Sequence, residues 1–517
     1  MSRRPWFSIE CIGRRHRRLV RLAVGLLLAG WLSALAAGAL PGRAASAPAA
    51  ASPGLGSLWK VGTDPTFPPF EFRDNATGTI RGFDVDLIEA IGQQAGHPIE
   101  LVALPFDGII PALQARSINA AISAITITAE RARAIEFSRP YFEAGQAIVV
   151  RDNGPQPSSR EQLKGLRIAV QIGTTGAIAA AEVPGARVIN FDSTPLALQE
   201  LANGNADAVV SDVPAILYAT RQARLTGLRI VGERLSTEHY GIALPAGSPM
   251  EATINRALGD LIESGRYARI YRQWLGAEPP LLPLTAPALQ RSSAPKAGLE
   301  LAQLAQHLLK GAGITLLLTL LSFSFGLIGG TGLAMLLQAP WPMAHRLCRV
   351  YIDFFRGTPM LVQLFLIYFG LPALIQSLSI AFTIERLPAA VIALSLNVAA
   401  YLAEVLRSGI ESIDRGQWEA ADALGFSPIE RMGFVIAPQA IRRVLPPLAN
   451  EFITLIKDTS LAAVIGFDEL FRQGQLMVAT TYRAFEIYIA VALVYLVMTT
   501  SASLLFKWLE RKLSLPA

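Results

Sequence analysis

The chain has 517 residues, 52% of them hydrophobic, and a mean hydropathy of +0.39, which excludes a single soluble domain and points to a membrane protein. The formal charge of +6 is no nucleic-acid signature, because arginines gather at the N-terminus and beside apolar runs and no basic stripe interleaves with aromatics. The only cysteines, Cys11 and Cys348, and five scattered histidines support neither a disulfide framework nor a metal site.

Residues 1–47 have the pattern of a targeting segment. Arg14, Arg15, Arg17, Arg18 and Arg21 precede an uncharged apolar run from Leu22 to Leu40, and Ala45-Ser46-Ala47 offers a cleavage site. The segment is a signal peptide or, uncleaved, an N-terminal membrane anchor; either one exports the α/β region downstream of it. Residues 48–57, rich in Ala, Ser, Pro and Gly, form a flexible leader.

Over residues 58–278 short apolar strands alternate with helical stretches, as in Leu166–Val170 before Thr175–Ala181. This predicts parallel α/β sheets, and the length suits two lobes. The polar residues in this region suit a small zwitterion. Gly62 to Phe70 makes a rigid aromatic turn after a strand. Ser123 to Thr128 leads from a strand into a helix capped by Thr128, with Arg131 at its third position, where a cation opposes the helix dipole but can grip a carboxylate. Gly173-Thr174-Thr175-Gly176 is a second strand-to-helix junction, and Asp212 ends the strand from Ala208, where ligands of open α/β sheets sit. Taken singly, Arg131 could instead pair with Glu130, Asp212 could be an N-cap and Phe67 could be core.

Together with Gly82-Phe83-Asp84-Val85-Asp86 and Phe137-Ser138-Arg139-Pro140-Tyr141-Phe142, these motifs resemble the periplasmic binding proteins for polar amino acids. The resemblance implies a bilobed α/β fold with two hinge crossovers, expected near Gly145–Val150 and Tyr240–Leu244. It implies that Arg131 binds the ligand's α-carboxylate with help from Thr126 and Thr175, and that Asp212 binds the α-ammonium. Ser123 adds a hydrogen bond, Phe67 and Phe106 flank the side chain, and Asp64 meets its far end. Gly176 and Gln171 depart from some members, which leaves open whether the amino acid is neutral, acidic or basic.

Residues 279–300 form a Pro/Ala/Ser-rich linker whose core, Leu281 to Ala297, spans up to roughly 60 Å if extended. Beyond it, residues 301–517 offer five candidate spans: Ile314–Leu337, Met360–Ile380, Pro388–Leu406, Val444–Phe467 and Ile487–Phe506. The fourth carries Glu451, Lys457 and Asp458, costly inside a membrane unless paired or facing a cavity. With the α/β part outside, Arg346, Arg349, Arg356, Arg407, Arg415, Arg431, Arg442, Arg443, Lys507, Arg511 and Lys512 face inward. Only Lys310, Arg386, Arg472 and Arg483 face outward, as the positive-inside rule requires.

Between the third and fourth spans lies a polar stretch, 416–440. Gln417–Leu424 predicts a short helix ended by Gly425, and Ser427, Pro428 and Glu430 predict a capping box opening a second helix that Pro438 closes. The stretch is a docking knob or an amphipathic hairpin on the membrane surface. Glu419-Ala420-Ala421, Gly425 and the Val435-Ile436-Ala437-Pro438 close resemble the EAA loop of ABC importer permeases, with Ala437 where that family usually has Leu. Arg356-Gly357-Thr358-Pro359, Ala400-Tyr401 with Glu404 and Arg407, and Lys457 to Leu461 extend the resemblance to amino-acid permeases. It implies an all-α five-helix transmembrane domain in a bacterial inner membrane, paired with a second permease subunit, and an ABC ATPase dimer bound at the cytoplasmic loop. The sequence has no Gly-Lys dipeptide and so no P-loop, which assigns ATP to a separate chain. No catalytic constellation and no cofactor are expected. The rival readings are a ligand-gated channel, whose membrane segments would interrupt the second lobe, and an enzyme on the binding-protein scaffold.

Overall fold

The computed structural model describes residues 57–513 except 75, 223–226, 288–300, 340 and 379–381. The targeting segment, most of the leader and much of the linker therefore lie outside the described residues.

Two five-stranded sheets form the α/β part. The first runs Ile99–Ala103, Trp59–Thr63, Ala120–Ala121, Ala243–Leu244, Glu136–Phe137; the second runs Arg187–Phe191, Arg167–Gln171, Ala208–Asp212, Gln146–Arg151, Leu228–Val231. Parallel pairs sit where helices connect successive strands, as the alternation predicts. The rest is antiparallel, because the strands that enter from the other lobe arrive in the opposite sense. The crossing itself is an antiparallel pair, Phe142–Ala144 with Glu238–Tyr240, just before the positions expected from sequence. Around it Phe70, Phe83, Phe142 and Tyr240 pack edge to face and stacked at 4.9–6.0 Å, a rigid floor for the hinge. The linker begins docked: Ala286 is buried in the apolar cluster of Ile109, Ile110 and Phe137 in the first lobe.

The C-terminal part is helical. Leu301–Gln338, Arg386–Glu411 and Ala484–Lys512 are each long and apolar enough to cross a membrane, and Pro342–Gly357 with Met360–Ile375 forms a pair bent by 108°. The bend falls at Thr358-Pro359, where proline forces the preceding residue out of the helical region. The fourth expected span is the amphipathic helix Ala437–Asp458, continued by a 3-10 segment Thr459–Ile465 and ended by left-handed Gly466. Its charges keep it out of the apolar class.

The 416–440 stretch forms both predicted caps. Helix Arg415–Ala423 ends at Gly425, φ +79°, with Gly425 N donating to Asp422 O and Phe426 N to Ala421 O. The Ser427–Glu430 capping box is complete. Pro438 corrects the reading: it closes nothing. The second helix passes through a π segment, Arg431–Ile436, and continues into Ala437–Asp458 with Pro438 in that helix's first turn. In a helix's first turn the missing proline N–H costs little, and the fixed φ of the ring suits the helix.

The two parts touch. Tyr368 donates to Glu200 of the second lobe, Phe369 packs on that lobe's core, and Tyr482 packs on the Ile109–Ile110 cluster of the first. All these contacts lie at the Arg386 end of the Arg386–Glu411 helix, while the 416–440 stretch follows its other end. At 26 residues that helix is about 39 Å long, more than the roughly 30 Å bilayer core.

Candidate functional site

The cavity between the lobes is lined by Asp64, Phe67, Phe106, Ser123, Ala124, Thr126, Arg131, Gln171, Thr174, Thr175 and Asp212. Eight of the nine ligand-site residues expected from sequence are therefore in one wall set. The ninth, Gly173, stands just behind it with its carbonyl turned to Arg131.

Arg131 is 2% exposed. Its Nη1 donates to Thr126 O at 2.7 Å within its own lobe, and its Nη2 to Gly173 O at 2.9 Å across the cleft. The guanidinium also lies 5.4 Å from the centre of the Phe106 ring. The expected helix here is a single 3-10 turn, Arg131–Arg133, with Thr128 Oγ1 accepting from Arg131 N at 3.2 Å. So short a turn has no dipole for the guanidinium to oppose; it fixes the side chain by geometry alone. Thr174 is a true N-cap, accepting from Ala177 N at the head of helix Thr175–Ala181.

Carboxylates surround the rest of the cavity. Asp64 accepts from Thr66 Oγ1 at 2.8 Å and Gln171 Nε2 at 3.0 Å, and burial pushes it up to about 6. Asp212 accepts from Tyr240 Oη at 2.5 Å. Burial, then the charge of Glu238, push it up to about 7, against the lowering effect of the Tyr240 bond and Arg131.

Behind the wall, Ser123 Oγ accepts from Asp64 N at 3.0 Å and donates to Glu71 Oε1 at 2.8 Å. Asp84 Oδ2 accepts from Ala124 N at 2.8 Å and Tyr141 Oη at 2.7 Å. Burial and the charge of Asp84 push Glu71 well up from the usual carboxylate range. The Gly82–Asp86 motif thus supports the pocket from beneath without entering it.

Three contributors escaped the sequence reading. Gln171, noted only as a departure, ties Asp64 to the second lobe. Ala124 joins the wall in the left-handed region, φ +48°, which its side chain does not announce. Glu238 accepts from Thr126 Oγ1 and Thr175 Oγ1, both at 2.8 Å, one hydroxyl from each lobe. It lies two residues before Tyr240 on the hinge strand, so strand alternation alone puts both on one face.

At the other end, Glu419 and Ala420 are exposed and Ala421 is buried, while Leu424, Ile429 and Phe434 are 78%, 85% and 74% exposed. This is a knob with an uncovered apolar surface. Among the described residues no group of His, Cys, Asp and Glu could hold a metal ion.

The family of bacterial extracellular solute-binding proteins, family 3, matches residues 59–277, and the binding-protein-dependent transport system inner membrane component matches residues 326–515. Over 209 residues, 40% of this chain and 92% of the relative, it is 44% identical to the probable amino-acid permease protein YxeN of Bacillus subtilis. Over 210 residues, 40% of this chain and 93% of the relative, it is 42% identical to the glutamine transport system permease protein GlnP of Escherichia coli. The solved arginine-, lysine-, histidine-binding protein ArtJ of Geobacillus stearothermophilus is 38% identical over 43% of this chain and 96% of that one, with a TM-score of 0.41.

Proposed function

We propose, from the premise that this chain belongs to the amino-acid ABC transporters and joins a solute-binding domain to an inner membrane component in one polypeptide, that it captures a polar amino acid outside the membrane and passes it inward. The observation that carries this reading is the cavity with a buried guanidinium, Arg131, facing two carboxylates, Asp64 and Asp212, between two phenyl rings. A ligand carboxylate meets Arg131, its ammonium meets Asp212, and Phe67 and Phe106 hold the side chain. Asp64 accepts hydrogen bonds, so the far end of the ligand should be a donor, an amide or a cation. Relatives named for glutamine and arginine transport agree with that.

The energy comes from a separate ABC ATPase dimer seated on the knob that carries Glu419, Ala420, Ala421, Gly425 and Pro438. Its exposed Leu424, Ile429 and Phe434 give such a partner an apolar surface to cover. A second copy of the membrane domain completes the translocation path, with the α/β part on the outer side of a bacterial inner membrane.

The test is calorimetric titration of the full-length chain in nanodiscs with each of the twenty amino acids. One or a few with donor-bearing side chains should bind, and Arg131→Ala should weaken binding by roughly 3–5 kcal/mol, because it leaves a ligand charge buried without its partner. Heat from none of the twenty rejects the reading.

A further inference from the structure

One arginine ties the two parts of the chain together. Arg472 belongs to the membrane domain, on helix Leu470–Thr481, yet its side chain is 0% exposed and reaches into the second lobe. Nη1 donates to Asp192 Oδ1 at 2.6 Å, and Nη2 donates to the carbonyl of Asn190. Its base is fixed from below. Glu469 caps the helix by accepting from Phe471 N and Arg472 N, Tyr495 Oη donates to Glu469, and Leu470 N donates to Thr315 Oγ1. Beside it the backbone of Gly466 passes so close that an added Cβ would stand 2.9 Å from Asn190 O.

The turn that Arg472 grips is connected to the ligand cavity. Gln171, which lines the cavity, holds it: Gln171 Oε1 accepts from Thr194 N at 3.2 Å and Thr194 Oγ1 at 2.8 Å, and Nε2 donates to Asp192 O at 3.3 Å. The same Nε2 donates to Asp64 Oδ2 at 3.0 Å, on the opposite lobe. That last bond exists only while the lobes are closed. The far end of the helix rests on the first lobe. An added Cβ at Gly173 would lie 3.6 Å from the Asp107 Cβ and 3.7 Å from the Ala479 Cβ, so second lobe, first lobe and membrane helix meet at one point. The helix Leu470–Thr481 therefore stands on both lobes at once, and its rigid length fits them at one separation only.

We propose that Arg472 is a latch through which the membrane domain senses closure, engaging the Asp192 turn when Gln171 bridges that turn to Asp64. This rests on the amino-acid reading above and adds a residue outside the pocket that sets its affinity. Opening the lobes pulls Asp192 away from a guanidinium fixed at its base, and stranding a buried charge is costly. By linkage, whatever favours closure favours the latch, and the latch returns the same factor to ligand affinity.

The experiment uses the full-length chain in nanodiscs, with an equimolar mixture of the twenty labelled amino acids as probe. Arg472→Gln touches no cavity residue, yet it should weaken amino-acid binding by about tenfold, as should Asp192→Asn. The double variant should be no worse than either single, and the exchanged pair Arg472→Asp with Asp192→Arg should recover most of the loss. Amide exchange gives a readout that needs no ligand. In Arg472→Gln the Thr194 amide should exchange about tenfold faster, with the Leu470 amide unchanged as a control on folding. Unchanged affinity in both single variants, additive losses in the double, or unchanged exchange at Thr194 would each overturn the latch. If the unmodified chain bound no amino acid, the amino-acid reading would fail, and the exchange data would still decide the latch.

Discussion

Thr126 and Thr175 show how one neighbour changes what a side chain offers. Both hydroxyls donate to Glu238, so they turn lone pairs to the cavity, which suits an ammonium. To help Arg131 with a carboxylate, they must turn their protons away from the hinge. Asp212 makes the electrostatics testable. Burial keeps a proton on it up to about pH 7, whereas the unfolded group releases it near 3.8. Its contribution to stability in the empty protein is therefore greatest below 3.8 and declines as pH rises toward 7. A ligand ammonium needs the ionised form, so affinity should rise with pH up to about 7, by at most about tenfold per unit for one proton released. Asp64, pushed to about 6, adds to that slope only for ligands with a cationic far end. Calorimetry from pH 5 to 8 should show the slope, and Asp212→Asn should flatten it and leave only weak binding. A flat profile in the unmodified chain would remove Asp212 from the ammonium site.

The knob was legible because its signals are local. A capping box and a left-handed helix end are decided within a few residues, and Ser427, Glu430 and Gly425 adopt the predicted geometry. Gly425 has nothing within 4 Å of where a Cβ would sit, so any penalty there is backbone strain rather than collision. Gly425→Val should therefore tilt the second helix and lose co-purification of the ATPase, Gly425→Asn should retain it, and amino-acid binding should stay normal in both. Loss of amino-acid binding with ATPase attachment intact would put the knob's role elsewhere. Pro438 was misread because the helix runs through a π segment before it and continues beyond it. The turn at Arg131 fell short of a helix for a related reason: the chain must leave at Ile135 to form the Glu136–Phe137 strand. The cavity walls were legible where a motif marks them and illegible where only the third dimension does so. Glu238 and the Asp192 turn reach their partners across the hinge and from another domain, and no spacing along the chain records that.

At the scale of the whole molecule, function requires two ends. The lobes contact the helical part through Tyr368, Arg472 and Tyr482, at the end carrying Arg386, while the knob lies beyond Glu411, about 39 Å along the same helix. The positive-inside distribution predicts a cytoplasmic knob end by an argument that uses no contact at all. The two lines are independent, and a labelling experiment tests their agreement. With Cys11 and Cys348 changed to Ser, Leu284→Cys and Leu424→Cys each present one exposed thiol, at positions 74% and 78% accessible. A membrane-impermeant maleimide should modify Leu284→Cys in intact spheroplasts and Leu424→Cys only after the membrane is opened. The reverse order would invert the protein and leave the knob no ATPase to meet. Equal labelling of both would mean that the Arg386–Glu411 helix does not cross the bilayer, and the reading of residues 301–517 as a transmembrane path would fail with it.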